Sequence, residues 1–226
     1  MNSHPAHLPL GGGLPAEGAS AAQKIIQRIS PARWSDRLKA SRMGDPDETL
    51  VRASQNGDPA AFEALVRQHQ RMIHSLTYRM TGSLADAEDL AQEAFVRAYE
   101  QIAQYQGGAK FSTWLYRIAI NACLNWRQRE HRRLEAHTQW ASSAEADRPP
   151  GLNGHADPSL LSDQCLRVQA ALLKLPARQR AAVVLTVYDG LNHAEAAQAL
   201  GCSETTISWR VFAARRKLKS WLQTRE

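Results

Sequence analysis

Apolar residues between residues 46 and 137 recur with the spacing of amphipathic helices. They follow three- and four-residue steps from Phe62 to Leu76, from Leu84 to Ala98 and from Phe111 to Cys123. No stretch alternates apolar and polar residues as a half-buried strand would. The pattern therefore predicts three successive helices in this part of the chain.

Turn residues separate these apolar runs. Asn56-Gly57-Asp58-Pro59 forms a turn that places Pro59 at or near the first position of a helix. Thr81-Gly82-Ser83 interrupts the pattern after that helix, and the loop QGGAK at residues 106–110 precedes the last one.

The second helical part covers residues 161–226. One helix ends before Pro176, and a second is stopped by Asp189-Gly190. Asn192 with Glu195 resembles a capping box that opens a third helix. Gly201 ends it, and Ser203 or a neighbour is expected to cap the last helix.

Two segments lack such a pattern. Residues 1–42 are rich in small residues, Gly and Pro, so we expect a disordered or weakly ordered extension, and we expect translation to start at Met43. Residues 138–160 contain PPGLNG and scattered acids, which is typical of a flexible linker. The predicted fold is all-α: two small helical domains joined by this linker.

Charge and composition narrow the function. The net charge of +6 favours a polyanionic partner. The three cysteines, Cys123, Cys165 and Cys202, are widely spaced without a CxxC pair, which argues against a disulfide scaffold or a zinc finger and fits a reducing cytoplasm. We expect no membrane insertion, no metal and no cofactor, since the chain lacks a long apolar run, a Gly-rich phosphate loop and an HExxH motif. A non-enzymatic, cytoplasmic protein is the expectation.

The last two helices have the spacing of a helix-turn-helix, in which the second helix enters the major groove of DNA. Ile207, Val211 and Ala214 face inward, whereas Trp209 and Phe212 lie off this stripe among cations. A helix in a simple bundle rarely needs aromatic residues outside its buried face. DNA binding is therefore favoured over a bundle with a solvated basic end.

The helix that begins near Phe111 combines aromatic and basic residues. Single-stranded DNA is held in this way, because bases stack on aromatic rings while a basic track follows the phosphates. Trp114 and Tyr116 could equally belong to the core.

Three motifs in this chain resemble those of bacterial sigma factors of the extracytoplasmic-function (ECF) type. DAEDLAQEAF and FSTWLYRIAINACLNWRQR, in this order, are similar to region 2, and LPARQRAAVVLTVYDGLNHAEAAQALGCSETTISWRVFAARRKL is similar to region 4. The resemblance covers about residues 46–222. It implies region 2 at 46–137 and region 4 at 161–226.

The resemblance implies a set of functional residues. Those implied to bind core RNA polymerase, on its β′ and β subunits, are Asp86, Glu88, Asp89, Gln92 and Glu93. Those implied to melt and bind the single-stranded −10 element are Lys110, Trp114, Tyr116, Arg117, Asn121, Asn125, Arg127 and Arg129. Those implied to read the −35 duplex are Ser203, Thr205, Thr206, Ser208, Trp209, Arg210, Phe212, Arg215 and Arg216.

The same resemblance implies an alternative sigma factor that directs core polymerase to specific promoters, held in check by a separate anti-sigma factor. Two other functions remain open. One is a polymerase-independent helix-turn-helix regulator, and the other, more distant, is a transposase-like enzyme. Residues 1–42 match nothing in the family.

The recognition helix departs from the common ECF pattern at two positions. Ser208 stands where a cation is common, and Trp209 stands where a small residue is common. We predict that these residues change the −35 preference. Transcription from a panel of −35 variants with Trp209→Ser tests this, and an unchanged preference profile contradicts it.

Overall fold

The computed structural model describes residues 45–140 and 163–223, and contains no strand within them. The first group of helices is α1 (Glu48–Gln55), α2 (Pro59–Thr81), α3 (Leu84–Gln101) and α4 (Phe111–Trp140). The second group is α5 (Asp163–Leu173), α6 (Ala177–Val183), α7 (His193–Leu200) and α8 (Glu204–Gln223). A 3-10 turn, Ile102–Gln104, follows α3, and a π-helical turn, Val184–Tyr188, continues α6. The all-α prediction is confirmed.

Helix ends in the first group lie where the turn residues predict them. The Asp58 carboxylate accepts hydrogen bonds from the Ala60 and Ala61 amides, and Pro59 is the first residue of α2. Gly82 ends α2 with φ of 80°, a left-handed conformation that favours glycine. Ser83 then caps α3 by accepting from the Asp86 amide.

The second group follows its predicted boundaries equally well. Asn192 and Glu195 form the reciprocal capping box at the start of α7. Gly201, with φ of 58°, ends that helix. The Ser203 hydroxyl accepts from the Thr206 amide and so caps α8.

The first group differs from its predicted helices at two points, since α1 precedes the three that were predicted and α4 ends later. Helix α4 continues to Trp140, three residues into the segment predicted as a linker from residue 138. Its sequence there contains no Gly or Pro to stop a helix. The remainder of the linker, the extension at residues 1–42 and the predicted start at Met43 lie outside the described residues.

The two helical groups share one continuous core. Ile73 and Leu115 of the first group belong to the same buried apolar cluster as Leu185, Ala197 and Ile207 of the second. In particular, α7 packs on α4, and α5 packs on α2. The sequence analysis predicts domains that are only tethered. The structure instead buries apolar surface between them, which stabilises their association by about 25 cal/mol per Å² removed from water.

Arg180 of α6 connects the two groups at their centre. Its guanidinium is fully buried and donates hydrogen bonds to the carbonyl oxygens of Met80, Leu173 and Leu175. Met80 lies in the last turn of α2, and Leu173 is the last residue of α5. The cation thus satisfies carbonyls at two helix C-termini, where the helix dipole also favours positive charge. Burial and, to a smaller extent, the neighbouring Arg127 together lower the pKa of Arg180 to about 9.

Two further polar contacts join the groups beside Arg180. The Gln169 side-chain amide donates to the Tyr78 carbonyl at 3.0 Å. The Arg79 guanidinium lies 4.5 Å from the centroid of the Tyr188 ring, a cation–π contact. Both contacts join α2 to the second group, so this end of α2 is a hydrogen-bonded junction as well as an apolar one.

Asp189 is a buried carboxyl group next to this junction. Burial raises its pKa to about 7, although Arg79 opposes that shift. Its Oδ2 atom has no hydrogen-bond partner among the described residues. Because the unfolded carboxyl titrates near 3.8, the folded chain retains a proton that the unfolded chain releases between these two pH values. The stability that Asp189 contributes is therefore fully present below about pH 4 and is lost as the pH rises towards 7.

We predict that Asp189→Asn weakens this pH dependence. The free energy of unfolding of the unmodified chain falls with a slope of up to ~1.4 kcal/mol per pH unit from this group, and the variant lacks that contribution. Urea denaturation at a series of pH values between 4.5 and 8 measures it. Asp163→Asn, which removes an exposed carboxylate of α5, is the matched control. An identical pH slope for Asp189→Asn and the unmodified chain contradicts the prediction.

Candidate protein and nucleic-acid interfaces

Helix α3 has one face in the core and one in solvent. Ala87, Ala91, Ala94 and Ala98 lie on its buried side, and their small size allows α3 to pack closely on its neighbours. Leu90 is buried on the same side, and Phe95 is half-buried against the core. Neither residue therefore belongs to the free surface of this helix.

Three of the predicted polymerase-binding residues form the free surface of α3. Glu88, Asp89 and Gln92 are exposed, and Asp86 is half-buried near the N-terminus. Glu93 instead turns towards Arg97 and forms an ion pair at 2.5 Å. Among the predicted residues, the exposed carboxylates are therefore Glu88 and Asp89, in the first half of the helix.

Two apolar residues on this face were missed by the sequence analysis. Val96 is 58% exposed and Tyr99 is 55% exposed. They follow Gln92 at helical spacing, so the polar patch continues into an apolar one. The Tyr99 ring also contacts Phe62 of α2, with 5.0 Å between centroids. Helical periodicity places both residues opposite the alanine stripe, and that is the signal that could have found them.

A row of polar side chains runs along the exposed side of α4. Arg117, Asn121, Asn125 and Arg129 are four residues apart, all exposed, and so form one ridge over more than three turns. Arg127 is also exposed, but helical spacing places it on another side of α4, one turn after the buried Cys123 and near Arg180. The alternation of cations with amide groups allows simultaneous contact with phosphates and base edges.

The N-terminus of α4 is capped from a distance. The Asp45 carboxylate accepts a hydrogen bond from the Phe111 amide at 2.6 Å, although the two residues are 66 positions apart. Gln55 donates to the Ile102 and Tyr105 carbonyls, and the Tyr105 hydroxyl donates to the Ala109 carbonyl. Residues upstream of α2 therefore hold the loop that leads into α4.

The predicted aromatic residues of α4 are less accessible than its polar ridge. Trp114 is half-buried and packs against the rings of Tyr105 and Phe111, at 5.3 and 5.6 Å between centroids. Tyr116 is buried, and its pKa is raised first by burial and then by Asp189 of the second group. In this arrangement neither ring offers an open face for a base.

Lys110 is also engaged by the second helical group. Its ammonium group lies 3.1 Å from the Glu195 carboxylate at the start of α7. The helix-turn-helix therefore covers the end of α4 that carries Lys110 and Tyr116, while the ridge from Arg117 to Arg129 stays exposed.

Helix α8 buries one narrow stripe and exposes most of the predicted DNA-binding residues. Ile207, Val211 and Ala214 are buried, as the spacing predicts. Trp209 is 63% exposed and Phe212 is 65% exposed. The exposed polar residues on this side are Ser203, Thr205, Ser208 and Arg216.

Three predicted residues of α8 are half-buried. Thr206 contacts Ser203 through their hydroxyl groups at 2.8 Å. The Arg210 guanidinium points back to the Cys202 sulfur at 3.4 Å. Arg215 is half-buried, and its cation acts on His193 of α7. These side chains brace the start and middle of the helix rather than extend from it.

One polar contact connects α7 to the exposed face of α8. His193 Nδ1 lies 2.9 Å from the Ser208 hydroxyl. Burial lowers the pKa of His193, the Arg215 cation lowers it further, and Glu204 opposes them. His193 is the first residue of the helix that the capping box opens.

The described residues contain no group of three or more His, Cys, Asp or Glu side chains arranged to hold a metal ion. No helix among them is long and apolar enough to cross a bilayer.

Comparison with known families gives two matches that follow each other along the chain. Sigma-70 region 2 matches residues 65–133, and Sigma-70 region 4 matches residues 165–218. The first match includes α3 and the ridge of α4, and the second includes the whole helix-turn-helix.

Curated relatives are named as ECF sigma factors. The ECF RNA polymerase sigma factor SigE of Mycolicibacterium smegmatis is 38% identical over 212 residues, covering 92% of this chain and 79% of the relative. The ECF RNA polymerase sigma-E factor of Escherichia coli K12 is 34% identical over 181 residues, covering 78% of this chain and 94% of the relative. An alignment over 92% of the chain must extend into residues 1–42, which corrects the expectation that they match nothing in the family.

Solved structures have a similar fold. CnrH, in complex with the cytosolic domain of CnrY, superposes with a TM-score of 0.60 at 26% identity, covering 80% of this chain and 99% of that one. The sigma factor RpoE of Bartonella quintana, in complex with the anti-sigma factor NepR, gives a TM-score of 0.57 at 23% identity, covering 73% and 98%. The second likeness is one of fold.

Proposed function

The chain belongs to the sigma-70 family and is an ECF sigma factor, and we propose how its exposed surfaces divide the work of promoter recognition. The protein directs core RNA polymerase to specific promoters. This function rests on the matches to regions 2 and 4, which follow each other on one chain. A regulator that acts without polymerase would not require region 2.

We assign core polymerase binding to the free face of α3. Glu88, Asp89 and Gln92 offer acidic and polar groups to basic residues of the β′ subunit, and region 4 is expected to contact the β subunit. Val96 and Tyr99 extend this face with apolar area. An interface with an apolar centre and charged neighbours gives both affinity and correct orientation.

We assign the −10 element to α4 and its preceding loop. Single-stranded DNA would follow the ridge from Arg117 to Arg129, with the arginines on phosphates and the two asparagines on bases. Stacking on aromatic rings contributes ~1–3 kcal/mol per base, which is comparable with the cost of unstacking a base from duplex. Tyr116, which faces Asp189 and Glu195 of the second group, can contribute only when that group no longer covers it. Trp114 can contribute only by leaving its contacts with Tyr105 and Phe111.

We assign the −35 duplex to the exposed face of α8. Ser203, Thr205, Ser208 and Trp209 lie on its first two turns, where a recognition helix contacts base edges. Phe212 and Arg216 follow on the same face. Trp209 and Phe212 remain exposed in the free chain because DNA is their partner in the working complex.

We further propose that a separate anti-sigma factor shields these surfaces before induction. Exposed aromatic rings favour such a partner, and the relative CnrH is solved with the cytosolic domain of another protein. The sigma factor acts as a non-enzymatic subunit in the cytoplasm, where core polymerase works. Regions 46–137 and 161–226 are the two functional units.

Run-off transcription with core polymerase and a genomic promoter library tests the proposal. We expect discrete new start sites that share −35 and −10 elements and depend on the added protein. Specific binding to duplex DNA by the protein alone, with no new start sites, would replace the proposal with the independent regulator.

We predict that the apolar part of the α3 face contributes to polymerase affinity. The double variant Val96→Ser/Tyr99→Ser should bind core polymerase about 10- to 100-fold more weakly, since a buried side chain of this kind contributes ~1.5–3 kcal/mol. Competition with the unmodified protein for core polymerase measures the change.

The matched control is Val96→Ile/Tyr99→Phe, which keeps the apolar area and should retain affinity. Thermal unfolding of both variants is measured alongside, because Tyr99 also packs on Phe62. Unchanged affinity in the serine variant shows that these residues lie outside the interface.

A further inference from the structure

The contact between His193 and Ser208 connects the two helices of the helix-turn-helix. In the proposed function only the second of them, α8, enters the major groove. Ser208 is exposed on the recognition helix α8, directly beside Trp209. His193 is the first residue of α7 and belongs to the preceding helix. Their side chains meet at 2.9 Å between Nδ1 and the hydroxyl oxygen.

A serine hydroxyl has one proton to donate, and its direction depends on its neighbours. If Nδ1 of the imidazole carries no proton, the Ser208 hydroxyl must donate to it, and only oxygen lone pairs remain for DNA. If the imidazole is protonated on both nitrogens, the ring donates to Ser208. The hydroxyl proton is then free to point towards a base.

These two states present opposite groups to the major groove. An accepting oxygen is complementary to the amino groups of adenine N6 and cytosine N4. A donating hydroxyl is complementary to guanine N7 and O6 or thymine O4. The charge state of the imidazole therefore selects between two classes of base at the position that Ser208 faces.

The surroundings of His193 favour the neutral ring at neutral pH. The charged groups that face it are Arg215 and Glu204, both on α8. Partial burial and the Arg215 cation lower its pKa, and Glu204 acts in the opposite direction. A mildly acidic solution is thus needed to protonate the ring.

We propose that His193 is a positioning residue for −35 recognition: its neutral ring, in the Nε2–H tautomer, orients the Ser208 hydroxyl as an acceptor for DNA, and its protonated ring leaves that hydroxyl as a donor. This rests on the proposed function, in which the exposed face of α8 reads the −35 duplex. Ser208, which stands where a basic residue is common, thereby has a chemical role. Ser208 of α8 contacts the base, and His193 of α7 sets the direction of its hydroxyl proton.

The test uses holoenzyme assembled from core polymerase and the full chain. Promoters that carry each of the four bases at each −35 position compete in the same reaction, at a series of pH values from 5 to 8. Only the ratios between promoters are measured, so general effects of pH on polymerase cancel. At one position, adenine or cytosine should be preferred at pH 8, and the preference should shift three- to tenfold towards guanine or thymine at the acidic end of the series.

Variants separate this role from a merely structural one. His193→Ala leaves the Ser208 hydroxyl free to rotate, so the preference at that position should weaken and become independent of pH. Ser208→Ala should remove the same preference at both pH values. Ser220→Ala changes another exposed serine of α8 and should behave as the unmodified chain. Thermal unfolding of His193→Ala checks that the capping box of α7 still supports the helix.

The outcomes are distinguishable. If the unmodified holoenzyme depends on the −35 sequence and His193→Ala keeps the same profile at both pH values, the inference is overturned and the proposed function stands. If the unmodified holoenzyme shows no dependence on the −35 sequence, both fail.

Discussion

The arrangement of the two helical groups depends on one buried cation. Within residues 45–140 and 163–223 no carboxylate pairs with Arg180, and its charge is met by carbonyl oxygens at the ends of α2 and α5. Taking a guanidinium out of water costs several kcal/mol unless its hydrogen bonds are replaced. The carbonyls need a donor equally, since an unpaired buried carbonyl costs ~1–3 kcal/mol. The guanidinium and the carbonyl oxygens therefore need each other as hydrogen-bond partners. This requirement fixes where α6 lies against the C-terminus of α2.

Local features of the fold could be predicted from the sequence because they depend on neighbouring residues. The caps at Asp58, Ser83 and Asn192 and the stops at Gly82 and Gly201 depend on contacts within a few positions. The packing of the helix-turn-helix on α4 could not, because helical spacing shows which side of a helix is apolar but not which helix covers it. The Asp45 cap on α4 was missed for a similar reason, since its donor lies 66 positions away.

In the candidate surfaces, too, features set by helical spacing could be predicted, and features set by contacts between distant helices could not. Exposure of Trp209 and Phe212 follows from the spacing of the buried stripe in α8, and so does the ridge of α4. The burial of Tyr116 and the ion pair of Lys110 depend on contact between the two groups. The family resemblance supplied the acidic residues of α3 as a polymerase surface, but it did not supply Val96 and Tyr99, which become visible only when the exposed side of the helix is described.

The ion pair between Lys110 and Glu195 has a consequence for how the protein can occupy a promoter. Elements centred about 35 and 10 base pairs upstream of a start site are separated by about 25 base pairs, or ~85 Å of duplex at 3.4 Å each. While Lys110 and Glu195 lie 3.1 Å apart, the two helical groups are held side by side and cannot reach both elements at once. The 22 residues between α4 and α5 span ~75 Å at full extension, which, with the widths of the two domains, is enough to bridge that distance. With the −10 element on α4 and the −35 element on α8, as proposed, promoter engagement separates the domains, and the free energy of their association is deducted from the affinity for DNA.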